Sequence, residues 1–197
     1  MRKEKLNELK EYIEELKTVQ WEKLEREANF LEAEVYNCTL NNGQVIYREK
    51  LIKKKKNGSS AIVLPVLENG EVLLTVEPRV FTKRTVGVGI VTGYIEDGEK
   101  GYQAALRELK EETGYVSRQM TSLGGFYQDM GCSGAYNESF IAFNCVKKYS
   151  QNTDSGEFIK YFSCSYDEAL ELIDLGYIEG CNAIITLERA KTYMKGR

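Results

Sequence analysis

A chain of 197 residues, 42% hydrophobic and 29% charged, is large enough to bury one sizeable core with a small appended unit. Its formal net charge of -3 lacks the basic excess that nucleic acid or an anionic membrane selects, so neither is expected as a partner. There are no histidines, which removes every Ser-His, Cys-His and His-metal mechanism and leaves carboxylates, Lys, Tyr, Cys or a metal on oxygen ligands.

The opening Met1-Arg2-Lys3-Glu4-Lys5 lacks an apolar signal core, and no apolar run approaches the ~20 residues that span a bilayer, so a cytoplasmic chain is expected. Residues 1–31 read as an N-terminal helix, with Leu6, Leu9, Ile13 and Leu16 at three-and-four spacing from about Lys3 to Leu31. Two heptads are too few for a coiled coil, so this helix should pack on the body or on a second subunit. Residues 32–57 then read as a strand unit, in which Asn41-Asn42-Gly43 turns one strand-like run, Glu34 to Leu40, into another, Gln44 to Tyr47. Lys53 to Lys56, followed by Asn57-Gly58-Ser59-Ser60, reads as a solvated loop into the main domain, 58–197.

In that domain Ala61 to Leu67 and Val72 to Val76 form a hairpin around Glu68-Asn69-Gly70, the first strand apolar enough to be central. One short strand is expected over Val86 to Val91, and Gly93 marks a switch to helical periodicity. Further strands are expected near Met120 to Gln128, Ser139 to Val146 and Phe158 to Cys164. Ser165 and Glu168 stand at capping-box spacing before a helix that ends by Gly176, and a last helix covers about Asn182 to Met194. Five cysteines with no C-x-x-C pair point to buried thiols. The fold class expected is α/β (α+β), a sandwich on a mixed sheet.

The chemistry is concentrated between Gly93 and Tyr115. On a helix there, Tyr102, Ala105, Leu106, Leu109 and Thr113 share the face that should meet the sheet. Glu108, Glu111 and Glu112 stack on another face, where like charges repel and the helix C-terminus disfavours anions. Arg107 can pair with Glu111 at i,i+4, but one arginine does not neutralise three glutamates, whereas a hard divalent cation does. On its own ELKEE is a common solvated helix surface.

The whole segment resembles the Nudix box: Gly93, Glu99, Arg107, Glu108, Leu109, Glu111, Glu112, Gly114 and an apolar Tyr115 fall at its spacing. A match to its seven fixed residues arises by chance about 10⁻⁸ times per window. The resemblance implies a Nudix-type α/β/α sandwich and hydrolysis of a diphosphate bond by metal-activated water. Glu108, Glu111 and Glu112 are then ligands for Mg2+ (Mn2+ as the alternative), joined by a backbone carbonyl at Thr92 or Gly93; Glu99 supports the metal and Arg107 orients the carboxylates. Beyond the box, Ala33 to Met194 resembles the ADP-ribose pyrophosphatase branch, through the Val-Glu-Pro-Arg stretch at 76–79 and the 170–183 stretch LELIDLGYIEGCNA.

That branch implies a homodimer joined by its N-terminal unit and a nucleoside diphosphate sugar substrate, ADP-ribose first. It makes Arg79 and, from the N-terminal unit, Arg48 phosphate or ribose ligands. Tyr47, Tyr127 and Tyr136 are candidates to stack on a base, and Glu138 is an acid near the substrate. Glu157 is the extra catalytic carboxylate, with Asp154 in reserve. Gly89, Met130 and Ser155 depart from the branch's residues at those places. Other substrates, dinucleoside polyphosphates or nucleoside triphosphates, and a nucleotide-sensing module on the same scaffold are the alternatives.

Overall fold

A computed structural model describes residues 1–25, 27–28, 30–53, 58–153 and 155–195. The lysine run from Lys54 onward and the reserve acid Asp154 therefore lie outside the described residues.

The order of elements is α1 (Lys3–Leu16), β1 (Leu31–Thr39), β2 (Val45–Lys53), β3 (Ser60–Leu67), β4 (Val72–Pro78), β5 (Val86–Gly89), β6 (Val91–Tyr94), α2 (Gly101–Thr113), β7 (Tyr115–Val116), β8 (Gln119–Tyr127), β9 (Tyr136–Lys147), β10 (Lys160–Cys164), α3 (Tyr166–Asp174) and α4 (Cys181–Met194). Strand β3 is central, as its unbroken apolar run requires: it runs parallel to β9 and antiparallel to β4 and β6. Strand β10 extends the sheet beyond β4, and β7 and β8 flank β9. The first hairpin stands apart as a two-stranded sheet, β1 on β2.

Alternation along β3 divides the core. Ile62, Leu64 and Val66 join Val72, Leu74 and Val76 of β4 on the face covered by Leu9 and Ile13 of α1, Ala169 and Leu172 of α3, and Ala183 and Leu187 of α4. Ala61 and Val63 face the other way, against Ala104, Ala105 and Leu109 of α2. Helices on both faces of a mixed sheet make the expected α/β/α sandwich. Among the described residues no helix is long and apolar enough to cross a membrane.

The structure corrects four expectations. The first helix ends at Leu16 rather than near Leu31. Beyond it the Thr18 N–H donates to Thr85 Oγ1 at 2.9 Å, a tertiary partner that replaces the helical one. The stretch Val86 to Val91 is two strands: β5 lies on β4 and β6 on β3, with Ile90 between them. On α2 the buried positions are Gly101, Ala104, Ala105, Leu109, Glu112 and Thr113, whereas Tyr102 is exposed and edges against Phe140. Of the cysteines, Cys145 and Cys164 are buried, but Cys132 and Cys181 are exposed and Cys38 is half-buried; all five are free thiols.

Candidate active site

Helix α2 carries the acidic face, and the local sequence fixes both of its ends. At the C-terminus Gly114 adopts φ 74 and its N–H donates to the Lys110 carbonyl. A β-carbon at Gly114 would also stand 2.0 Å from the Tyr149 carbonyl oxygen, so glycine is required twice over. The Asn152 N–H donates to the Glu111 carbonyl at 2.8 Å, which ties the 148–159 loop to the end of the helix.

At the other end, the Glu138 carboxylate of β9 lies where a β-carbon on Gly101 would be 2.6 Å away. It therefore stands at the start of α2, where the helix dipole favours an anion. Glu138, expected beside the substrate, is not among the residues that line the cleft.

Arg107 is the hub of the acidic face. Its Nε and Nη2 donate to the two oxygens of Glu99 at 3.0 and 2.9 Å, Nη1 donates to Glu108 at 2.6 Å and Glu111 at 3.1 Å, and Nη2 also reaches the Tyr94 carbonyl. The forked pairing holds the Glu99 carboxyl below its ordinary range. Gly93 lies within β6, and a β-carbon there would fall 1.8 Å from the Glu108 carboxyl carbon. The missing side chain is what makes room for Glu108.

Burial pushes the Glu108 carboxyl above its ordinary range, against the pull of Arg107. Glu112 is 7% exposed, and burial, followed by the neighbouring charges of Glu77 and Glu108, raises its carboxyl well above the ordinary range; the Thr92 N–H partly offsets this by hydrogen bonding. Thr92 lines the cleft, with its hydroxyl donated to the Ile90 carbonyl.

Glu77, on β4, is a site residue that sequence reasoning missed. It lines the same cleft, and burial first, then Glu157, raises its carboxyl, while Arg79 opposes the shift. Strand pairing sets Glu77 opposite Gly87 of β5, a relation that sequence spacing does not express.

These groups line a cleft of about 930 Å³ together with Arg79, Glu157, Lys53, Asn152, Phe158 and the loop around Gly180. Glu77, Glu108, Glu111, Glu112 and Glu157 thus share one wall system with Arg79 and Arg107. Tyr47 and Arg48 do not reach it: both sit on the exposed β2, where the Tyr47 hydroxyl donates to Glu49 and Arg48 to the Tyr47 carbonyl. Tyr127 and Tyr136 pack edge to face on each other at 5.0 Å, outside the cleft lining.

Among the described residues no three acidic or thiol side chains converge on one point as a metal requires. Arg107 draws Glu108 and Glu111 onto a single nitrogen instead. The donors themselves fit a hard divalent cation: they are carboxylate oxygens, crowded enough that burial and mutual repulsion favour added positive charge.

An α/β/α sandwich with carboxylates from one helix in the wall of a cleft and arginine beside them is a setting suited to a small phosphorylated substrate. The chain belongs to the Nudix family: the model described as NUDIX domain matches residues 56–179. It is a Nudix pyrophosphohydrolase. It is 30% identical over 141 residues to ADP-ribose pyrophosphatase of Bacillus subtilis (strain 168), covering 71% of this chain and 74% of the relative. It is also 28% identical over 156 residues to a methanol dehydrogenase activator of Bacillus methanolicus, covering 79% and 82%. A crystal structure of an ADP compounds hydrolase superposes with TM-score 0.74 at 20% identity, over 87% of this chain and 90% of the other, which supports the fold.

Proposed function

We propose that this protein hydrolyses the diphosphate bond of ADP-ribose in the cytoplasm, giving AMP and ribose 5-phosphate with a divalent metal, magnesium or manganese. The carrying observation is that Glu108, Glu111, Glu112 and Glu157 line one cleft of about 930 Å³ together with Arg79. That volume suits an extended ligand the size of a nucleoside diphosphate sugar. The identity of 30% to an ADP-ribose pyrophosphatase supports the choice of substrate.

Glu108, Glu111 and Glu112 would hold the metal, with the Thr92 or Gly93 carbonyl as a backbone donor. Bound there, the ion supplies Lewis acidity toward the phosphoryl oxygens and lowers the pKa of water. Glu157 accepts the proton as water oxygen bonds to one phosphorus, and the P–O bond to the bridging oxygen breaks, its electron pair leaving with the other phosphate. Arg79 grips a phosphate oxygen, while Arg107, anchored by Glu99 and Tyr94, orients the carboxylates.

We read residues 58–197 as the catalytic domain and 32–57 as a unit that joins two copies into a homodimer. Val35, Tyr36, Val45 and Tyr47 leave apolar surface exposed on that hairpin. A partner copy is also the route by which Tyr47 and Arg48 would come to a cleft that their own chain keeps from them.

The test is product analysis. ADP-ribose with magnesium should give equal AMP and ribose 5-phosphate, chelation should stop turnover, and Glu112→Gln should lower kcat/KM by roughly 10²- to 10⁴-fold. A monomer mass in light scattering would remove the dimer, and tight ADP-ribose binding without cleavage would favour the sensing module. Faster cleavage of nucleoside triphosphates or dinucleoside polyphosphates would displace the substrate.

A further inference from the structure

The 79–85 loop closes on itself around Arg79. The Arg79 N–H donates to the Thr85 carbonyl at 2.8 Å, and the N–H and hydroxyl of Thr82 both donate back to the Arg79 carbonyl at 2.9 Å. Arg84 pins the far end of the loop, donating to the Gly176 carbonyl at 2.6 Å. The backbone of Arg79 is thus fixed before any ligand arrives.

Its side chain is fixed as well. Nη2 donates to Glu77 Oε1 at 2.7 Å, and the aliphatic stem lies across Gly87, where a β-carbon would meet Arg79 Cγ at 2.7 Å. Glu77 and Gly87 are directly opposed in the β4–β5 ladder, so one strand pair supplies both the anchor and the trough. Gly87 has no left-handed φ that would demand glycine for its own conformation. Its lack of a side chain is explained by the arginine that crosses it.

We infer that Glu77 and Gly87 are positioning residues for Arg79: they hold its guanidinium at the cleft wall, with its remaining N–H groups available to the substrate's diphosphate. This rests on the reading of the cleft as a diphosphate site. A guanidinium already held in place loses little freedom on gripping an anion, so the anchor appears in affinity more than in turnover. The charge of Glu77 also keeps Arg79 from being drawn onto the glutamates of α2 when no substrate is present.

The experiment compares Glu77→Ala, Glu77→Gln and Gly87→Ala with the parent enzyme. KM for ADP-ribose and the dissociation constant of inorganic pyrophosphate in magnesium buffer should rise about tenfold for Glu77→Ala and Gly87→Ala. Glu77→Gln, which keeps an acceptor for Nη2, should recover part of that loss, and kcat should fall less than KM rises. Gly87→Ala should melt at or slightly above the parent temperature, since alanine suits an ordinary strand position. Adding Glu77→Ala to Arg79→Ala should not deepen the loss. Unchanged pyrophosphate affinity in Gly87→Ala would overturn the inference. So would a Glu77→Ala protein that loses Mn2+ affinity in electron paramagnetic resonance while holding pyrophosphate normally, because Glu77 would then be a ligand. If the parent enzyme leaves ADP-ribose intact, the substrate reading falls, and the pyrophosphate titration still decides this one.

Discussion

Arg107 is the residue on which the acidic face depends, because among the described residues it alone meets Glu99, Glu108 and Glu111 at hydrogen-bond distance. Replacing it with alanine takes from Glu108 and Glu111 the guanidinium nitrogen they share. A residue that orients metal ligands without binding metal typically changes metal affinity or activity by 10- to 100-fold. Arg107→Ala is therefore expected to weaken Mn2+ binding and ADP-ribose turnover by about that factor, measured by metal titration and product assay; a lysine in its place, lacking the fork, should recover little. At this scale the box was legible from sequence, since Arg107 and the three glutamates lie on one helix and spacing alone predicts their neighbours. Glu77 and Gly87 were not, because strand pairing brings them to the site from outside the helix. The place of Glu138 was not legible for the same reason: nothing in its own neighbourhood of sequence reveals that β9 sets it against the start of α2.

The elements that carry the site are held by their ends. Helix α2 stops at Gly114, where a left-handed φ and the nearby Tyr149 carbonyl leave no room for a β-carbon. Gly114→Ala should cost about 2 to 4 kcal/mol, the left-handed penalty plus displacement of the 148–159 loop. The corresponding fall in Tm is roughly 5 to 10 °C, readable by thermal denaturation, and because Asn152 is tied to Glu111 the same change should disturb the loop that carries Glu157. An unchanged melt with normal turnover would show that the close approach relaxes without consequence. The glycine stop, the capping box of α3 and the central position of β3 were all readable from local chemistry. The end of α1 was not, because the Thr18 amide leaves the helix for a hydroxyl 67 residues away.

Across the whole molecule, the first helix is joined to the domain beyond its apolar stripe by a charged cluster at its start and by the Glu15–Lys160 pair, 2.6 Å apart, near its end. The Arg2 backbone N–H and guanidinium both reach Glu168 of α3, and Nη2 also reaches Glu71 at the β3–β4 turn. Glu168 at the same time closes the capping box by accepting the Ser165 N–H at 2.9 Å. The Arg2 hydrogen bonds, against a smaller opposing effect of burial, hold the Glu168 carboxyl far below the ordinary range, and Ser163 and Arg2 lower that of Glu71. A carboxyl whose folded pKa lies below its unfolded value contributes stability above the unfolded value, about 4.3, and that stability is lost as pH falls toward the folded one. The parent protein should therefore lose melting temperature between about pH 5 and pH 3 more steeply than Glu168→Gln, which has no charge to surrender. At pH 7 the variant should melt lower than the parent, and the gap should narrow as the pH falls. Because Arg2 is nearly half exposed, salt should shrink the gap as acid does. Melts recorded across that pH range at low and high salt decide the matter: parallel curves for the two proteins would mean that the Arg2–Glu168 junction adds nothing, and that α1 is held by its other contacts, Leu9 and Ile13 on the sheet and Glu15 on Lys160.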